Sequence, residues 1–341
     1  MKSFWFDFIA QCSTITVKRA TNFLKLYLGF VLSRVLKKPV LLTYPAYFSI
    51  EPTTACNLKC PACPSGLRSF SRATGNLKMD TFDQSMILLS EYSFSVTLYF
   101  QGEPFINPLF FDFVRKAKQH NLYTITSTNG HFLTEENCQN IIDSGLNRLI
   151  ISVDGLVQET YSKYRLEGEL SKVREGIILM SNLKKKLKSK TPIIIGQFIA
   201  FGHNEHEVKV VEKTLKAWGV DQVQIKTAQI YDESQAKAFL TKDPQLSRYN
   251  LNEDGALKLK NKMLNHCWRM WRACVITWDG AVVPCCFDKD ASHKVGNVND
   301  VKDFKHLVLN KAYVNFRQLL LKSRQEIDIC QNCTEGTKVF N

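Results

Sequence analysis

From Tyr44 to Lys226 short apolar runs alternate with amphipathic stretches, and that alternation limits the fold more than any other feature. Six runs read as strands: Tyr44–Glu51, Ser95–Phe100, Tyr123–Ser127, Arg148–Val153, Pro192–Ala200 and Gln222–Lys226. Between them, Met79–Glu91, Pro108–His120, Glu135–Ser144, Leu170–Lys188 and Glu205–Trp218 carry helical periodicity. Strands separated by helices pair in parallel, with the helices packed outside. The expected class is α/β, a partial (β/α)6 TIM-like barrel with a small cysteine-rich C-terminal domain. Ligands of such sheets sit at the C-terminal strand ends.

The flanks differ in texture. Residues 1–43 read as a helical N-terminal extension and 44–230 as the barrel. Residues 231–261, polar and holding Pro244 and Asn250, read as a linker or irregular excursion. In 262–341, cysteines, tryptophans and glycines crowd together, and the main helical signal is Leu307–Lys322. The chain has 341 residues and a formal net charge of +13, a balance that suits an anionic partner. No zinc-finger or RNA-recognition motif accompanies the charge, so nucleic acid is not expected. Lys184–Lys190 reads as the solvated end of a helix. Thr21–Leu36 is apolar but broken by Lys25 and Arg34, with Lys37 and Lys38 following. Residues 21–38 therefore suit either a helix lying on an anionic membrane surface or one packed on the barrel. No run is long and charge-free enough for a secure transmembrane span. The N-terminus lacks a convincing cleavage site, and the expected location is cytoplasmic, with membrane association through 21–38 as the variant.

There are 11 cysteines, many closely spaced. In a reducing compartment such groups read as metal ligands. The first is Cys56-x3-Cys60-x2-Cys63, directly after the first predicted strand. Soft thiolates on one loop suit an iron–sulfur cluster, and three of them leave one iron open to a chelating small molecule. Three cysteines alone also suit zinc.

The spacing and position of this loop resemble the radical S-adenosylmethionine (SAM) superfamily. Gln101-Gly102-Glu103-Pro104 after the second strand is similar to the family's Gly-Gly-Glu-Pro motif, with Gln101 replacing the first glycine. Thr128-Asn129-Gly130 follows the third strand, Ser152-Val153-Asp154-Gly155 the fourth, and Arg165 comes a short helix later. The resemblance implies a catalytic [4Fe–4S] cluster on Cys56, Cys60 and Cys63. It places SAM against Gly102, Glu103, Ser127, Asn129, Ser152 and Arg165. Cleavage of SAM would give a 5′-deoxyadenosyl radical that takes a hydrogen atom from the substrate. Ala62 stands where the family usually has an aromatic residue, which puts the adenine stacking contact in doubt. Asn204-Glu205 lies after the fifth strand, and its simplest role is capping the next helix.

The second group resembles a shortened SPASM domain, with Gly280 between Cys267 and Cys285 and a late Cys330-x2-Cys333 pair. A hairpin is expected, with strands Ile276–Trp278 and Ala281–Val283 about an Asp279-Gly280 turn. Cys267, Cys285, Cys330 and Cys333 would close one auxiliary [4Fe–4S] cluster, and Cys274 is the alternative to Cys267. A zinc ribbon has the same outline. Cys12 and Cys138 read as buried hydrophobes. Cys286, directly after a ligand, is the candidate catalytic thiol.

The expected reaction is hydrogen abstraction from a peptide or carbohydrate-type substrate, then oxidation through the auxiliary cluster. Epimerisation with Cys286 as hydrogen-atom donor is the alternative. A zinc-stabilised binding protein with an inactive barrel is the reading from another class. The resemblance also implies a small reductant protein of flavodoxin or ferredoxin type.

Overall fold

The computed structural model describes residues 2–230, 238–251 and 257–334. Portions of the predicted linker, 231–237 and 252–256, and the end of the predicted C-terminal domain, 335–341, lie outside them.

Six strands form the parallel sheet that the alternation predicts. They are β1 (Tyr47–Ile50), β2 (Ser95–Thr97), β3 (Tyr123–Thr128), β4 (Arg148–Ser152), β5 (Ile193–Ala200) and β6 (Gln222–Thr227), each hydrogen-bonded to the next in chain order. β5 is buried along most of its length, and its Ile-Ile-Ile start gives the branched side chains that fit a covered sheet. Crossover helices include Met79–Leu89, Phe110–Gln119, Glu135–Asp143, Leu170–Lys186 and Val208–Trp218, each within a few residues of its predicted range. Where the sequence suggested an irregular excursion, Tyr249–Leu251 pairs antiparallel with Leu257–Leu259.

The cysteine-rich segment does not stand apart from this sheet. Its first strand, β7 (Ala273–Ile276), pairs in parallel with β1, Tyr47 opposite Ala273 and Ile50 opposite Ile276. The next, β8 (Ala281–Val283), folds back antiparallel on β7, and β9 (Gly296–Asn297) pairs with β8. The sheet thus runs to nine strands among the described residues. The hairpin turn is longer than the two residues expected. Thr277 N donates to Ala281 O (2.9 Å), and Gly280, at φ +85°, donates to Thr277 O (2.9 Å). The strand ends at Ile276 because Trp278 turns aside, its indole N–H donating to Ala73 O (3.2 Å).

The N-terminal extension forms two helices, α1 (Lys2–Cys12) and α2 (Val17–Leu36). Buried Asp7 on α1 pairs with Arg148 and with the Tyr123 hydroxyl at the N-terminal strand ends. Arg19 on α2 donates to the Ser90, His120 and Asn121 carbonyls at 2.7–2.8 Å, where two crossover helices end. Phe30 is fully buried and packs on Trp268 and Trp271, ring centroids at 5.1 and 5.4 Å. The tryptophans therefore hold the cysteine-rich segment against α2. The outer face of α2 leaves Leu24, Leu28, Val35 and Leu36 exposed. No helix among the described residues is long and apolar enough to cross a membrane.

Truncating Phe30 empties this three-ring contact. Phe30→Ala should lower the unfolding free energy by about 3–5 kcal/mol, read by chemical denaturation, whereas exposed Leu28→Ala should stay within about 0.5 kcal/mol. Equal effects would mean that α2 does not pack as described.

Candidate functional site

The loop after β1 is shaped to bring three sulfurs to one wall. Cys63 N donates to Cys60 O (3.2 Å), and Pro64–Leu67 starts a short helix at once. That helix lies so close that a Cβ on Gly66 would stand 2.5 Å from Cys60 N. Gly102 is needed for a similar reason. It holds φ +73°, and a Cβ there would meet Thr53 O at 2.3 Å. Its N–H donates to Ser65 Oγ (2.8 Å), while Glu103 N donates to Ala55 O (2.7 Å). The loop and the end of β2 are therefore one assembly.

Cys56, Cys60, Cys63, Gly102, Glu103, Ser127, Asn129, Ser152 and Arg165 line one cavity of about 240 Å³. The structure thus gathers every residue expected at the first site. Glu103 is buried, and its carboxylate accepts from Asn129 N (2.7 Å) and the Thr128 hydroxyl (2.8 Å). Burial pushes its carboxyl up to about 7 despite these donors. Asn129 Nδ2 donates to Asn57 Oδ1 (2.7 Å) and lies 3.9 Å from Cys56 Sγ. Burial pushes the Cys56 thiol up to about 11, and Cys60 is raised for the same reason.

Arg165 is braced by an aspartate. Its Nε and Nη2 both reach Asp154 Oδ2, at 2.7 and 2.6 Å, and Nη1 lies 3.8 Å from Cys60 Sγ. Asp154 also accepts from Ile199 N (2.7 Å). The aspartate of the Ser-x-Asp-Gly segment is thus a positioning residue that sequence reasoning had left without a role. Asn204 departs from the capping expectation. Its side chain makes no cap hydrogen bond; it donates to Asp154 O (2.9 Å) and Ile199 O (3.0 Å), tying the ends of β4 and β5.

In the second group Cys267, Cys285, Cys330 and Cys333 are all buried. Cys267 stands within electrostatic reach of both Cys285 and Cys330, and Cys330 of Cys333. Cys274 lies instead inside β7, fully buried, with Arg317 as the charge that acts on it. Of the two alternatives, the structure brings Cys267 into the set. Among the described residues no three Cys, His, Asp or Glu side chains gather tightly enough for a single metal ion. Three thiols on the first loop and four in the second group are the soft donors that iron–sulfur clusters take.

A buried ion pair clamps the two regions together. Glu51, fully buried at the end of β1, accepts from Arg72 Nη1 (2.9 Å) and Nη2 (2.6 Å), and also from Trp278 N (3.2 Å). Arg72 Nε donates to Lys289 O (2.9 Å), and Asp290 accepts from Ser71 N (2.9 Å). The stretch after Cys63 is thereby fixed to the loop after Cys285 and Cys286.

Beside the first cavity lies a larger chamber, about 740 Å³, that sequence reasoning did not foresee. Its wall includes Cys285, Cys286, strand residues of β1–β4 and Phe8 and Cys12 of α1. Cys286 Sγ lies 2.8 Å from Arg269 Nη1.

A model of the radical SAM superfamily matches residues 50–213, and a model of an iron–sulfur cluster-binding domain, SPASM, matches 267–334. The chain is similar to the S-adenosyl-L-methionine-dependent 2-deoxy-scyllo-inosamine dehydrogenase of Niallia circulans, 22% identical over 83% of this chain and 90% of that enzyme. It is 28% identical to the AdoMet-dependent heme synthase of Methanosarcina barkeri over 39% of this chain, a match that spans only 38% of that enzyme's length. Streptococcus suis SuiB bound to precursor peptide SuiA shares the fold, with a TM-score of 0.60 at 14% identity over 93% of this chain and 75% of SuiB. The iron–sulfur model on 267–334 displaces the zinc-ribbon reading.

Glu103 generates a pH test. Its carboxylate form, the one that would hold the ammonium group of SAM as the motif resemblance implies, predominates only above about pH 7. Between pH 6 and 8 the ionised fraction rises from about one-tenth to nine-tenths. SAM affinity of the cluster-loaded protein should therefore climb about tenfold over that interval by equilibrium dialysis, and a flat profile would remove Glu103 from the ammonium contact.

Proposed function

We propose a reaction from the premise that the chain belongs to the radical SAM superfamily and is an enzyme with a SPASM-type iron–sulfur domain. It abstracts a hydrogen atom from a peptide or carbohydrate-type substrate held in the chamber, and the product is an oxidised one. Cys56, Cys60 and Cys63 would hold the catalytic [4Fe–4S] cluster, and Cys267, Cys285, Cys330 and Cys333 one auxiliary [4Fe–4S] cluster. The bound cluster and SAM together supply reductive carbon–sulfur cleavage and the 5′-deoxyadenosyl radical. Glu103 would take the ammonium group of SAM, with Gly102, Ser127, Asn129 and Ser152 around it. Arg165, braced by Asp154 with its Nη1 beside the cysteine loop, would be a further SAM contact. A flavodoxin- or ferredoxin-type protein would bring the electron.

The observation that carries oxidation is the position of Cys285. It belongs to the four-thiol set and also lines the chamber. The ligand set of an electron acceptor therefore forms part of the wall against which a substrate lies. The inosamine dehydrogenase among the relatives is consistent with this reading.

Epimerisation is kept as a second reading because Cys286 faces the chamber and its sulfur is anchored by Arg269 at 2.8 Å. The same leader that closes the barrel supports peripheral contact with an anionic membrane through 21–38. Leu24, Leu28, Val35 and Leu36 are exposed there among Lys25, Arg34, Lys37 and Lys38, and residues 1–50 contain one acid, buried Asp7.

Anaerobically reconstituted protein should form 5′-deoxyadenosine from SAM on reduction, and Cys60→Ala should abolish it. Retained turnover in that variant would sink the assignment. Cys286→Ala separates the two outcomes: it should leave substrate oxidation in place, while an epimerase would lose solvent-deuterium incorporation into its product. For the leader, the protein should sediment with phosphatidylserine vesicles at low salt, and Leu24→Glu with Leu28→Glu should release it; equal sedimentation with neutral vesicles would refute the contact.

A further inference from the structure

The chamber follows the inner face of the sheet along its length. Tyr47, Ser95 and Tyr123 stand in register at the N-terminal ends of β1, β2 and β3, and Ser49, Thr97 and Ile125 form the next layer. Residues of both layers line the chamber. A filled barrel carries bulky branched side chains in such layers. Here Ser49, Ser95 and Thr97 are small, and the lumen stays open. At its upper end the chamber shares Tyr99, Phe100 and Gln101 with the SAM cavity. Its other end reaches α1 and the turn after it, where Phe8, Gln11 and Ile15 line it. Phe8 is 50% exposed and Ile15 57%, so the chamber meets the protein surface there.

The surface around that opening gives the second observation. Phe4, Trp5, Phe8 and Ile9 are exposed on α1, and the Trp5 ring meets Phe4 and Phe8 edge-on, with centroids at 6.3 and 6.2 Å. Through Phe8, an exposed aromatic cluster is continuous with the chamber wall. Lys190 Nζ lies 4.8 Å from the Phe6 ring centroid, which brings the basic run Lys184–Lys190 beside the same helix. Residues 1–50 hold seven Lys and Arg and a single acid, buried Asp7. Arg148, on the chamber wall near α1, is paired with that acid. Exposed aromatic and aliphatic side chains among cations suit the boundary of an anionic membrane.

We propose that the substrate is an amphiphile drawn from such a membrane, a carbohydrate-type head on a single apolar chain. The head lies at the junction with the SAM cavity, and the chain fills the lumen past Thr97 and leaves it beside Phe8. This rests on the reading that the chamber holds the substrate, and it narrows the carbohydrate class to members carrying an apolar chain. A chain that passes from lipid to lumen stays in apolar surroundings throughout, so its transfer carries little cost. A sugar without a chain draws no binding free energy from the apolar wall.

The test uses anaerobically reconstituted, SAM-bound protein in isothermal titration calorimetry. The probes are hexyl, octyl and decyl β-D-glucoside, each below its micelle concentration, with glucose as the head-only arm and 1-octanol as the chain-only arm. Affinity should rise about tenfold for each two methylenes added. Octyl glucoside should bind about fivefold more tightly than 1-octanol, the contribution of a hydrogen bond to the head, and more tightly than glucose. Thr97→Phe, which fills the lumen, should weaken decyl glucoside about tenfold; SAM affinity within about twofold of wild type reports an intact fold. Should that variant lose SAM binding, exposed Phe8→Glu replaces it and should weaken decyl glucoside more than hexyl glucoside. Phe4→Glu with Trp5→Glu, outside the chamber wall, should lower sedimentation with phosphatidylserine vesicles. Affinity independent of chain length, equal binding of 1-octanol, an unchanged decyl glucoside affinity in folded Thr97→Phe, equal effects on both glucosides in Phe8→Glu, or unchanged sedimentation overturns the proposal. Failure to form 5′-deoxyadenosine on reduction, measured on the same protein without glucoside, overturns the parent reading instead.

Discussion

The Glu51–Arg72 pair holds the catalytic architecture together. A carboxylate with no exposure is costly to bury, and only a bidentate guanidinium with further donors makes it tolerable. Here the extra donor is the Trp278 amide, so one carboxylate joins the end of β1, the stretch after Cys63 and the hairpin of the cysteine-rich segment. Arg72 then uses its remaining Nε on the Lys289 carbonyl. The two thiol groups are therefore held in fixed relation by a network with few loose ends. Such a network specifies geometry more than it adds stability.

The continuous sheet explains why the chamber exists where it does. Because β7 lies on β1, the segment carrying Cys285 and Cys286 is delivered to the edge of the barrel, at the level of the first cysteine loop. On the opposite end α1 reaches across the N-terminal strand ends and is held there by Asp7. The chamber is thus walled by the first and last parts of the chain with the barrel between them.

Much of this was legible in the sequence, and the reasons are local. Strand and helix periods differ, so the six parallel strands and their crossovers could be read directly. The resemblance to the radical SAM motifs is why Gly102, Glu103, Ser127, Asn129, Ser152 and Arg165 could be grouped before any geometry was known. What escaped depends on contacts between distant residues. The pairing of β7 with β1 leaves no mark on either segment alone. Nothing in the spacing of Arg165 reveals that Asp154 takes two of its nitrogens. Asn204 looked like a cap because its position before a helix is the usual signal, yet its donors face the neighbouring strand. The hairpin turn gained a residue because Trp278 found a better partner outside the ladder.

The pairing of β1 with β7 also has a consequence for biosynthesis. β1 emerges from the ribosome early, while the strand that covers its outer edge arrives only after the whole barrel has been made. During that interval one flank of the nascent sheet offers unpaired amides and carbonyls, a template for self-association. The barrel alone is accordingly a poor unit to express. Recombinant pieces that stop before Ala273 would carry a permanently open seam along β1.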